Sequence, residues 1–280
     1  MITSAHSVCV VIPVYQSRLL PSEQLALNQC LAVLGKHPIV LVKPENLCLD
    51  ELTNQHPQLL TESFPDDFFA SIQGYNRLML SDDFYARFAS YEFILIYQLD
   101  AFVFSDQLLH WCSCGYDYIG APWIPMRVAP TIKNQLRIAV RRKWYRLLDI
   151  TNPQSGLTHE AQLNYSVGNG GFSLRRIATM RKVLSTLHDR AEPFRLGTRR
   201  TWAEDIFFSI EANRYWNHVR TPTVQQASRF SWETNPAVAA QLSDVQLPFG
   251  CHAWNKLHRD EWRPIFARLG HSIDALLQAQ

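Results

Sequence analysis

Apolar and polar stretches at the start of the chain predict a strand, a helix and a second strand in close succession. The run from Ser7 to Val14 is rich in β-branched residues, which is typical of a buried strand. Ser22 is expected to cap a helix that continues to Leu34 and ends at Gly35, and Ile39 to Val42 is the next strand. This order, with short connections, indicates a parallel sheet with crossover helices. The predicted fold class is therefore α/β, of the nucleotide-binding kind.

The most strand-like run of the sequence, Phe93 to Tyr97, stops at Gln98-Leu99-Asp100. Helical stretches precede it, at about residues 71–80 and 82–89, and the apolar run Ala101 to Phe104 follows it. Ligands of an open α/β sheet bind at the carboxyl ends of its strands. A carboxylate between two apolar runs needs a partner, and a bound cation is one candidate. Asp100 is therefore predicted to bind a ligand, with a turn or cap carboxylate as the alternative.

The segment of residues 124–148 holds seven Lys or Arg residues and no acidic residue. Its apolar residues Ile132, Leu136, Val140 and Leu147 recur at helical spacing, so residues 131–148 are predicted to form a basic amphipathic helix. One interpretation is a solvated helix that packs on the protein body through its apolar stripe. The other is a surface for anionic phosphates, either an acidic membrane face or a lipid-linked diphosphate acceptor. The pattern leaves both open.

Composition narrows the class of protein. The chain has 280 residues, of which 47% are hydrophobic and 19% charged, as in ordinary globular proteins. It contains no run of about 18 apolar residues, so neither a spanning helix nor a secretory signal is expected. Six scattered cysteines fit reduced thiols in a cytoplasm, and a net charge of +2 gives no case for nucleic-acid binding. We expect one domain, residues 1–280, with a basic helical insertion at about residues 124–163.

Two features combine candidate chemistry with a plain structural alternative. Gly168, Gly170 and Gly171 lie within four positions, just before a strand-like run. Such glycines let a backbone approach a ligand closely, but a tight turn between strands would also need them. His252 lies among aromatic residues near the end of the chain, where a packed core histidine is the alternative to a ligand-binding one.

Two adjacent carboxylates near the start of a predicted helix form a third feature. Glu204 is in capping-box register with Thr201, which gives Glu204 a structural explanation. Asp205 has no such explanation. A carboxylate in the first turn of a helix can be held rigidly, as a general base needs to be.

Several phrases of the sequence occur in a distinctive order. They are residues 11–15 (VIPVY), 96–104 (IYQLDAFVF), 116–123 (YDYIGAPW) and 168–175 (GNGGFSLR), followed by Glu204-Asp205 and His252. This order resembles nucleotide-sugar glycosyltransferases of the GT-A fold. More narrowly, the phrases look like a little-characterised family of GT-A transferases, over about residues 7 to 256. The resemblance implies a mixed, mostly parallel central sheet flanked by helices, and a hexosyltransferase-like enzyme.

The resemblance also implies a donor site. In GT-A enzymes the first strand and its loop, here Pro13 to Tyr15, usually approach the nucleotide base and ribose. Gln98 and Asp100 match the Asp-x-Asp motif that holds the diphosphate through a divalent metal, with Gln98 in place of the first aspartate. Gln98 can hydrogen-bond ribose, and Asp100 with His252 would bind the metal. Oxygen ligands and one imidazole suit Mn²⁺ or Mg²⁺.

The remaining implied roles concern the acceptor side. Asp205 matches the second residue of the family's Glu-Asp motif and is the candidate base, with Glu204 beside it in the catalytic pair. Direct displacement with that base inverts the anomeric carbon, and retention stays open. The Gly170-Gly171 backbone would border the donor sugar and the acceptor.

The implied function is transfer of a sugar from a nucleotide-diphosphate sugar, with UDP favoured, to a hydroxyl of a glycan or lipid-linked glycan in polysaccharide biosynthesis. We expect a cytoplasmic enzyme, with peripheral contact at the inner face of the membrane through residues 127–146. Two other functions stay open. One is a nucleotidyltransferase acting on a sugar phosphate, and the other is a non-catalytic nucleotide- or sugar-binding module, which Gln98 suggests.

Overall fold

The computed structural model describes residues 7–125, 132–154, 156, 158–197 and 203–278. For residues 132–135 it describes the backbone alone. The main sheet has the strand order β3-β2-β1-β4-β7-β6, and a smaller sheet has the order β5-β9-β8. The strands are β1 (Val8–Pro13), β2 (Ile39–Pro44), β3 (Leu59–Phe64), β4 (Phe93–Tyr97), β5 (Ala101–Val103), β6 (Tyr118–Ile119), β7 (Phe172–Arg176), β8 (Ser231–Trp232) and β9 (Gly250–His252).

Helices connect most of these strands and cover the main sheet. They are α1 (Pro21–Leu34), α2 (Asp50–Gln55), α3 (Ile72–Met79), α4 (Asp82–Arg87), α5 (Leu108–Ser113), α6 (Ile132–Leu147), α7 (Glu160–Leu163), α8 (Ile177–Thr186), α9 (His188–Leu196), α10 (Glu204–Ile206), α11 (Val224–Phe230), α12 (Pro236–Ser243), α13 (Arg259–Arg268) and α14 (Ile273–Gln278). A 3₁₀ turn spans Asp66–Phe68, and a π-helical turn, Phe207–Glu211, directly follows α10.

Strand direction decides which chain segments meet at the edge of the main sheet. β1 is parallel to β2, as the sequence pattern predicts. β1 is also parallel to β4, and β2 is parallel to β3, a strand that the pattern did not predict. β7 runs antiparallel to β4 and places Phe172 opposite Tyr97. The residues that follow β1 and β4 therefore lie at the same edge as the residues that precede β7.

Apolar side chains cover both faces of the main sheet. Val10 and Ile12 of β1 pack with α1 on one face, whereas Val11 packs with α3, α4 and α8 on the other. A third cluster, built around Phe102 and Trp254, lies under the smaller sheet. Burial on both faces explains why β1 and β4 are continuous apolar runs instead of alternating ones.

The helices predicted at residues 22–34, 71–80 and 82–89 are confirmed, with one correction at the start of the first of them. Ser22 is buried inside α1 and is not its cap. The helix begins at Pro21, since proline suits a first helical position that needs no N–H. The backbone N–H of Leu20 donates instead to the Glu23 carboxylate, at 2.8 Å.

The basic segment forms a helix, but the stripe that faces the body is not the apolar one. Leu136, Val140 and Leu147 of α6 are all exposed, so the interpretation of a helix packed through its apolar stripe is wrong for these residues. The guanidinium groups of Arg142 and Arg146 face the body instead, where they donate to backbone carbonyl groups.

The helix predicted from residue 201 is shorter than its pattern suggests. Thr201, the other member of the capping box predicted for Glu204, lies outside the described residues. The described part begins with α10 at Glu204, after Ala203, and passes at Phe207 into the π-helical turn.

Candidate active site

The carboxyl edge of the main sheet brings together three of the predicted segments. Pro13 ends β1, Gln98 follows β4, and Gly171 precedes β7. The backbone N–H of Gln98 donates to the carbonyl oxygen of Gly171 at 2.8 Å, which joins the ends of β4 and β7. This is the edge at which open α/β sheets bind ligands.

The smaller sheet places His252, which is distant in sequence, at the carboxyl edge of the main sheet. β5 begins immediately after Asp100, and its antiparallel pairing with β9 puts Ala101 opposite His252. β8 pairs with β9 and places Trp232 opposite Cys251, so the next residue, Glu233, lies alongside His252. Asp100, His252 and Glu233 are thus neighbours because of sheet pairing.

His252 is held between two carboxylates. Its Nε2 atom lies 3.0 Å from Asp100 Oδ1 and 3.2 Å from Gln98 Oε1, and its Nδ1 atom lies 3.0 Å from Glu233 Oε1. Asn169 Nδ2 also lies 3.2 Å from Nδ1. Burial opposes a charge on the ring, but the two carboxylates outweigh it and raise the pKa of His252 to about 10.

Asp100 has a second cationic partner. Lys256 Nζ lies 2.7 Å from Asp100 Oδ2, so each carboxylate oxygen contacts a different cation. Burial alone would raise the pKa of Asp100, but the charges and hydrogen bonds of His252 and Lys256 hold it well below its ordinary value. Asp100 is therefore an ionised carboxylate at neutral pH, which is the form that can bind a cation.

A cleft of about 420 Å³ opens beside this network. It is lined by four of the residues predicted to bind the nucleotide sugar, and by two basic residues that the sequence analysis did not single out: Pro13, Tyr15, Gln98 and Asp100, with Lys256 and Arg259. The volume is in the range of small-molecule and cofactor sites. Two carboxylates, Glu23 and Asp100, line the cleft together with the two basic residues.

The adjacent carboxylates Glu204 and Asp205 have different environments. Glu204 is buried and accepts from Arg175 Nη2 at 2.8 Å, and the Arg175 side chain is itself fully buried. The guanidinium lies over the Tyr118 ring, 5.3 Å from its centroid, and donates to Tyr85 Oη at 3.1 Å. This arrangement gives Glu204 a structural partner inside the protein.

Asp205 is half-buried and has no cation at hydrogen-bond distance among the described contacts. Its Oδ1 atom accepts from the backbone N–H of Ile206 at 2.7 Å. Burial, and then the negative charges of Glu204 and Glu233, raise the pKa of Asp205 from 3.8 to about 7. The effect of Glu233 connects Asp205 electrostatically to the His252 network. A group with this pKa can accept a proton near neutral pH.

The paired glycines are required by the close approach of two of these side chains. A Cβ atom on Gly170 would lie 2.0 Å from Glu204 Oε1, and a Cβ atom on Gly171 would lie 2.0 Å from His252 Nε2. Any side chain at either position would displace the carboxylate or the imidazole. Binding of the donor sugar by this backbone stays a prediction.

Gly171→Ala is expected to displace the His252 ring and to destabilise the protein by about 1–3 kcal/mol, the usual cost of overpacking. The ring cannot move freely, because Asp100, Gln98 and Glu233 all hold it. Thermal unfolding of Gly171→Ala, His252→Ala and the double variant measures this coupling. Removing the ring should relieve the clash, so additive losses in the double variant would contradict this account.

Two members of the site, Glu233 and Lys256, were not predicted as site residues. The only sequence signal near Glu233 is the polar and aromatic run of residues 229–233, which core packing explains equally well. Lys256 has no distinguishing pattern. Both contact the site through the pairing and loop geometry around β9.

Sequence comparison decides the family. The family described as Protein of unknown function (DUF5672) matches residues 58–252. The chain belongs to this family. The sequence matches none of the curated proteins with which it was compared.

The solved structures that are similar to this one include glycosyltransferases. An active-site mutant of LgtC has a TM-score of 0.51 and 14% identity, over 87% of this chain and 86% of that chain. Core-mannan synthase A (CmsA/Ktr4) from Aspergillus fumigatus, in its Mn/GDP form, has a TM-score of 0.48 and 11% identity, over 75% and 71%. Apo GlyE from Streptococcus pneumoniae has a TM-score of 0.47 and 12% identity, over 97% and 62%. The likeness to LgtC shows that the fold of this family member is GT-A.

The described residues hold neither a clustered metal site nor a membrane-spanning helix. No cluster of three or more His, Cys, Asp or Glu side chains in this part of the chain could hold a metal ion. None of its described helices has both the length and the apolar character needed to cross a bilayer.

Proposed function

We propose that this protein is a glycosyltransferase that moves a sugar from a nucleotide-diphosphate sugar to a hydroxyl of a glycan or lipid-linked glycan. One observation carries the proposal: the Asp100 carboxylate and the His252 imidazole meet 3.0 Å apart beside the cleft at the carboxyl edge of a GT-A sheet. The GT-A likeness of the fold supports the reaction class. UDP-sugars are the favoured donors.

The cleft supports binding of a nucleoside diphosphate. Pro13 and Tyr15 line the cleft and would contact the base and ribose, and Gln98 would offer its amide to ribose hydroxyls. Lys256 and Arg259 provide positive charge for the diphosphate. The contact with Asp100 holds Lys256 beside the cleft. From this position Lys256 can compensate part of the negative charge that develops on the leaving group.

The donor atoms of Asp100 and His252 fit a divalent cation. The Asp100 carboxylate supplies the oxygen ligand that such a cation prefers, and the His252 imidazole lies 3.0 Å from it. Glu233 contacts the other ring nitrogen, as carboxylates behind metal-binding histidines do. Asp100 and His252 would hold Mn²⁺ or Mg²⁺, and the cation would take the place of the proton that the His252 ring shares with Asp100. When bound, the cation neutralises charge on the diphosphate as a Lewis acid.

Asp205 is the proposed base. It accepts the proton of the acceptor hydroxyl as that oxygen attacks the anomeric carbon, and the nucleoside diphosphate leaves from the opposite side, which inverts the configuration. Glu204 acts as a positioning residue, because its ion pair with Arg175 holds the start of α10. The backbone at Gly170-Gly171 would border the reacting sugars.

Calorimetric titration across a panel of nucleotide sugars, with and without Mn²⁺, tests the donor site. We expect one diphosphate sugar to bind with metal dependence, and Asp100→Asn to lose at least about tenfold in affinity, because hydrogen bonds to a charged group are worth about 1.5–3 kcal/mol. Asp189→Asn is the matched control, because Asp189 is fully exposed on α9. Absence of binding by any nucleotide sugar would contradict the proposal.

Two other outcomes would identify the alternative functions. Turnover of a nucleoside triphosphate and a sugar phosphate, with release of pyrophosphate, would indicate a nucleotidyltransferase. Donor binding that survives Asp205→Asn, in a parent protein that shows no transfer or hydrolysis, would indicate a non-catalytic binding module.

A further inference from the structure

α6 presents an unpartnered apolar stripe to solvent. Leu136, Val140, Trp144 and Leu147 are spaced three or four residues apart and are 66%, 49%, 57% and 47% exposed. Residues at this spacing share one face of a helix. Core packing does not explain four large apolar side chains on one exposed face, and contiguous patches of this kind mark interaction surfaces.

The orientation of α6 is set by the opposite side of the helix. Arg146 donates through Nε and Nη2 to the carbonyl oxygen of Gln162, at 2.9 and 2.7 Å, and also contacts Ser166 Oγ. Arg142 Nη1 donates to the carbonyl oxygen of Tyr165 at 2.5 Å. These contacts bind one side of α6 to α7 and to the segment that follows α7, so the apolar stripe is turned away from the body.

Basic and aromatic side chains flank the stripe. Arg137, Arg141 and Lys143 are exposed on α6, and residues 124–148 contain no acidic residue. Tyr215 and Trp216 are 57% and 77% exposed, and both line a cavity of about 640 Å³ against the C-terminal half of α6. Exposed aromatic residues beside an apolar, basic helix are typical of segments that lie in the membrane interface.

Charge distinguishes between the possible occupants of this face. A second copy of the chain packed on the stripe would bring Arg137, Arg141 and Lys143 towards the same cations of its partner, with no carboxylate on α6 to compensate. Anionic phospholipids compensate all of them and also accept the apolar side chains.

We propose that α6 docks this protein on the surface of an anionic phospholipid bilayer. The helix lies parallel to the surface, with Leu136, Val140 and Trp144 among the acyl chains and the flanking cations among the headgroup phosphates. Its 16 residues span about 24 Å along the surface. Docking requires no nucleotide sugar, so it stands independently of the proposed transfer reaction.

Vesicle flotation tests the docking directly. The parent protein is expected to float with vesicles of phosphatidylcholine mixed with phosphatidylglycerol, to bind pure phosphatidylcholine at least tenfold more weakly, and to dissociate at high salt. Val140→Glu with Trp144→Glu should abolish flotation. Arg137→Gln with Arg141→Gln should weaken it roughly tenfold or more, because each basic residue near an anionic surface contributes about fivefold.

Matched controls come from exposed positions elsewhere. Leu109→Glu on α5 and Lys182→Gln on α8 change the same kinds of side chain and should leave flotation unchanged. Unfolding temperatures of all variants should match the parent, because every altered side chain is exposed. A parent that does not float, or α6 variants that float equally well, would overturn the proposal. Sedimentation showing a dimer that the Val140→Glu, Trp144→Glu variant loses, without vesicle binding, would assign the face to a second copy.

Discussion

Asp205→Asn is expected to lower kcat of sugar transfer by about 10² to 10⁴, the usual contribution of a general base, with little change in KM for the donor. The amide keeps the shape of the side chain but cannot take the acceptor proton. Because the base works in its ionised form, the parent rate should rise with pH up to about 7, the pKa of Asp205, and then level off. Initial rates measured between about pH 5 and pH 9 check both statements.

The same substitution has a stability consequence with a definite sign. The pKa of Asp205 is raised from 3.8 to about 7 on folding, so the folded state holds the proton more tightly than the unfolded state does. This contribution to stability is fully present below pH 3.8 and is lost as the pH rises towards 7. Asp205→Asn removes the cost of ionising the group, and should raise the free energy of unfolding at alkaline pH by roughly 2–4 kcal/mol.

Asp189→Asn on exposed α9 is the matched control for both measurements. It removes one negative charge without changing a buried group, and should alter neither the rate profile nor the stability difference between acid and alkaline pH. A kcat for Asp205→Asn within about threefold of the parent would exclude a general base at this position.

Glu204→Ala is expected to lower the free energy of unfolding by about 3–5 kcal/mol, because it leaves the buried guanidinium of Arg175 without its counter-charge. Both side chains of this ion pair are excluded from water. Arg175 keeps its contacts with Ser173 and Tyr85, but neither supplies a negative charge. Urea unfolding at pH 7 measures the loss through the midpoint concentration.

A conservative variant and an exposed ion pair provide the comparison. Glu204→Gln keeps an acceptor for Arg175 and should lose less than Glu204→Ala. Arg181→Gln breaks the exposed pair with Asp82 and should cost less than about 1 kcal/mol. If Glu204→Ala were no more costly than Arg181→Gln, the ion pair of Glu204 with Arg175 would not stabilise the fold. The assignment of a structural role to Glu204 and a catalytic role to Asp205 would then be wrong.

The local pattern of apolar and polar residues was sufficient to predict the strand end at which the site lies. The strand β4 is a continuous apolar run, and Asp100 was singled out because a carboxylate follows directly where that run ends. Pro13 and Gln98 were assigned to the donor site through the resemblance to GT-A transferases, and both lie at this edge because they stand at the ends of β1 and β4. The sequence predicted that something approaches the backbone of the paired glycines closely, but it did not predict which side chains do so. Those side chains, Glu204 and His252, come from other parts of the chain.

For the basic helix α6, the sequence pattern predicts where the helix lies but not which of its faces packs inward. Helical spacing predicts α6 within a residue or so at either end, because a period of 3.6 residues is a local property. Which face packs inward depends on the partners that the rest of the chain provides. Here the backbone carbonyl groups of residues 162 and 165 accept from arginines, so the polar side is the one that packs.

The sequence by itself determined the α/β class, the positions of β1, β2 and β4, the carboxylate at the end of β4 and the basic amphipathic character of α6. Each of these features depends on residues within a few positions of one another in the chain, and the sequence alone shows which residues those are. Only the tertiary structure decided that His252 lies between Asp100 and Glu233, and that Asp205 has a pKa near 7 whereas Glu204 is bound to Arg175. Burial and charge at a site are sums over side chains from distant segments, and that sum exists only once the chain is folded.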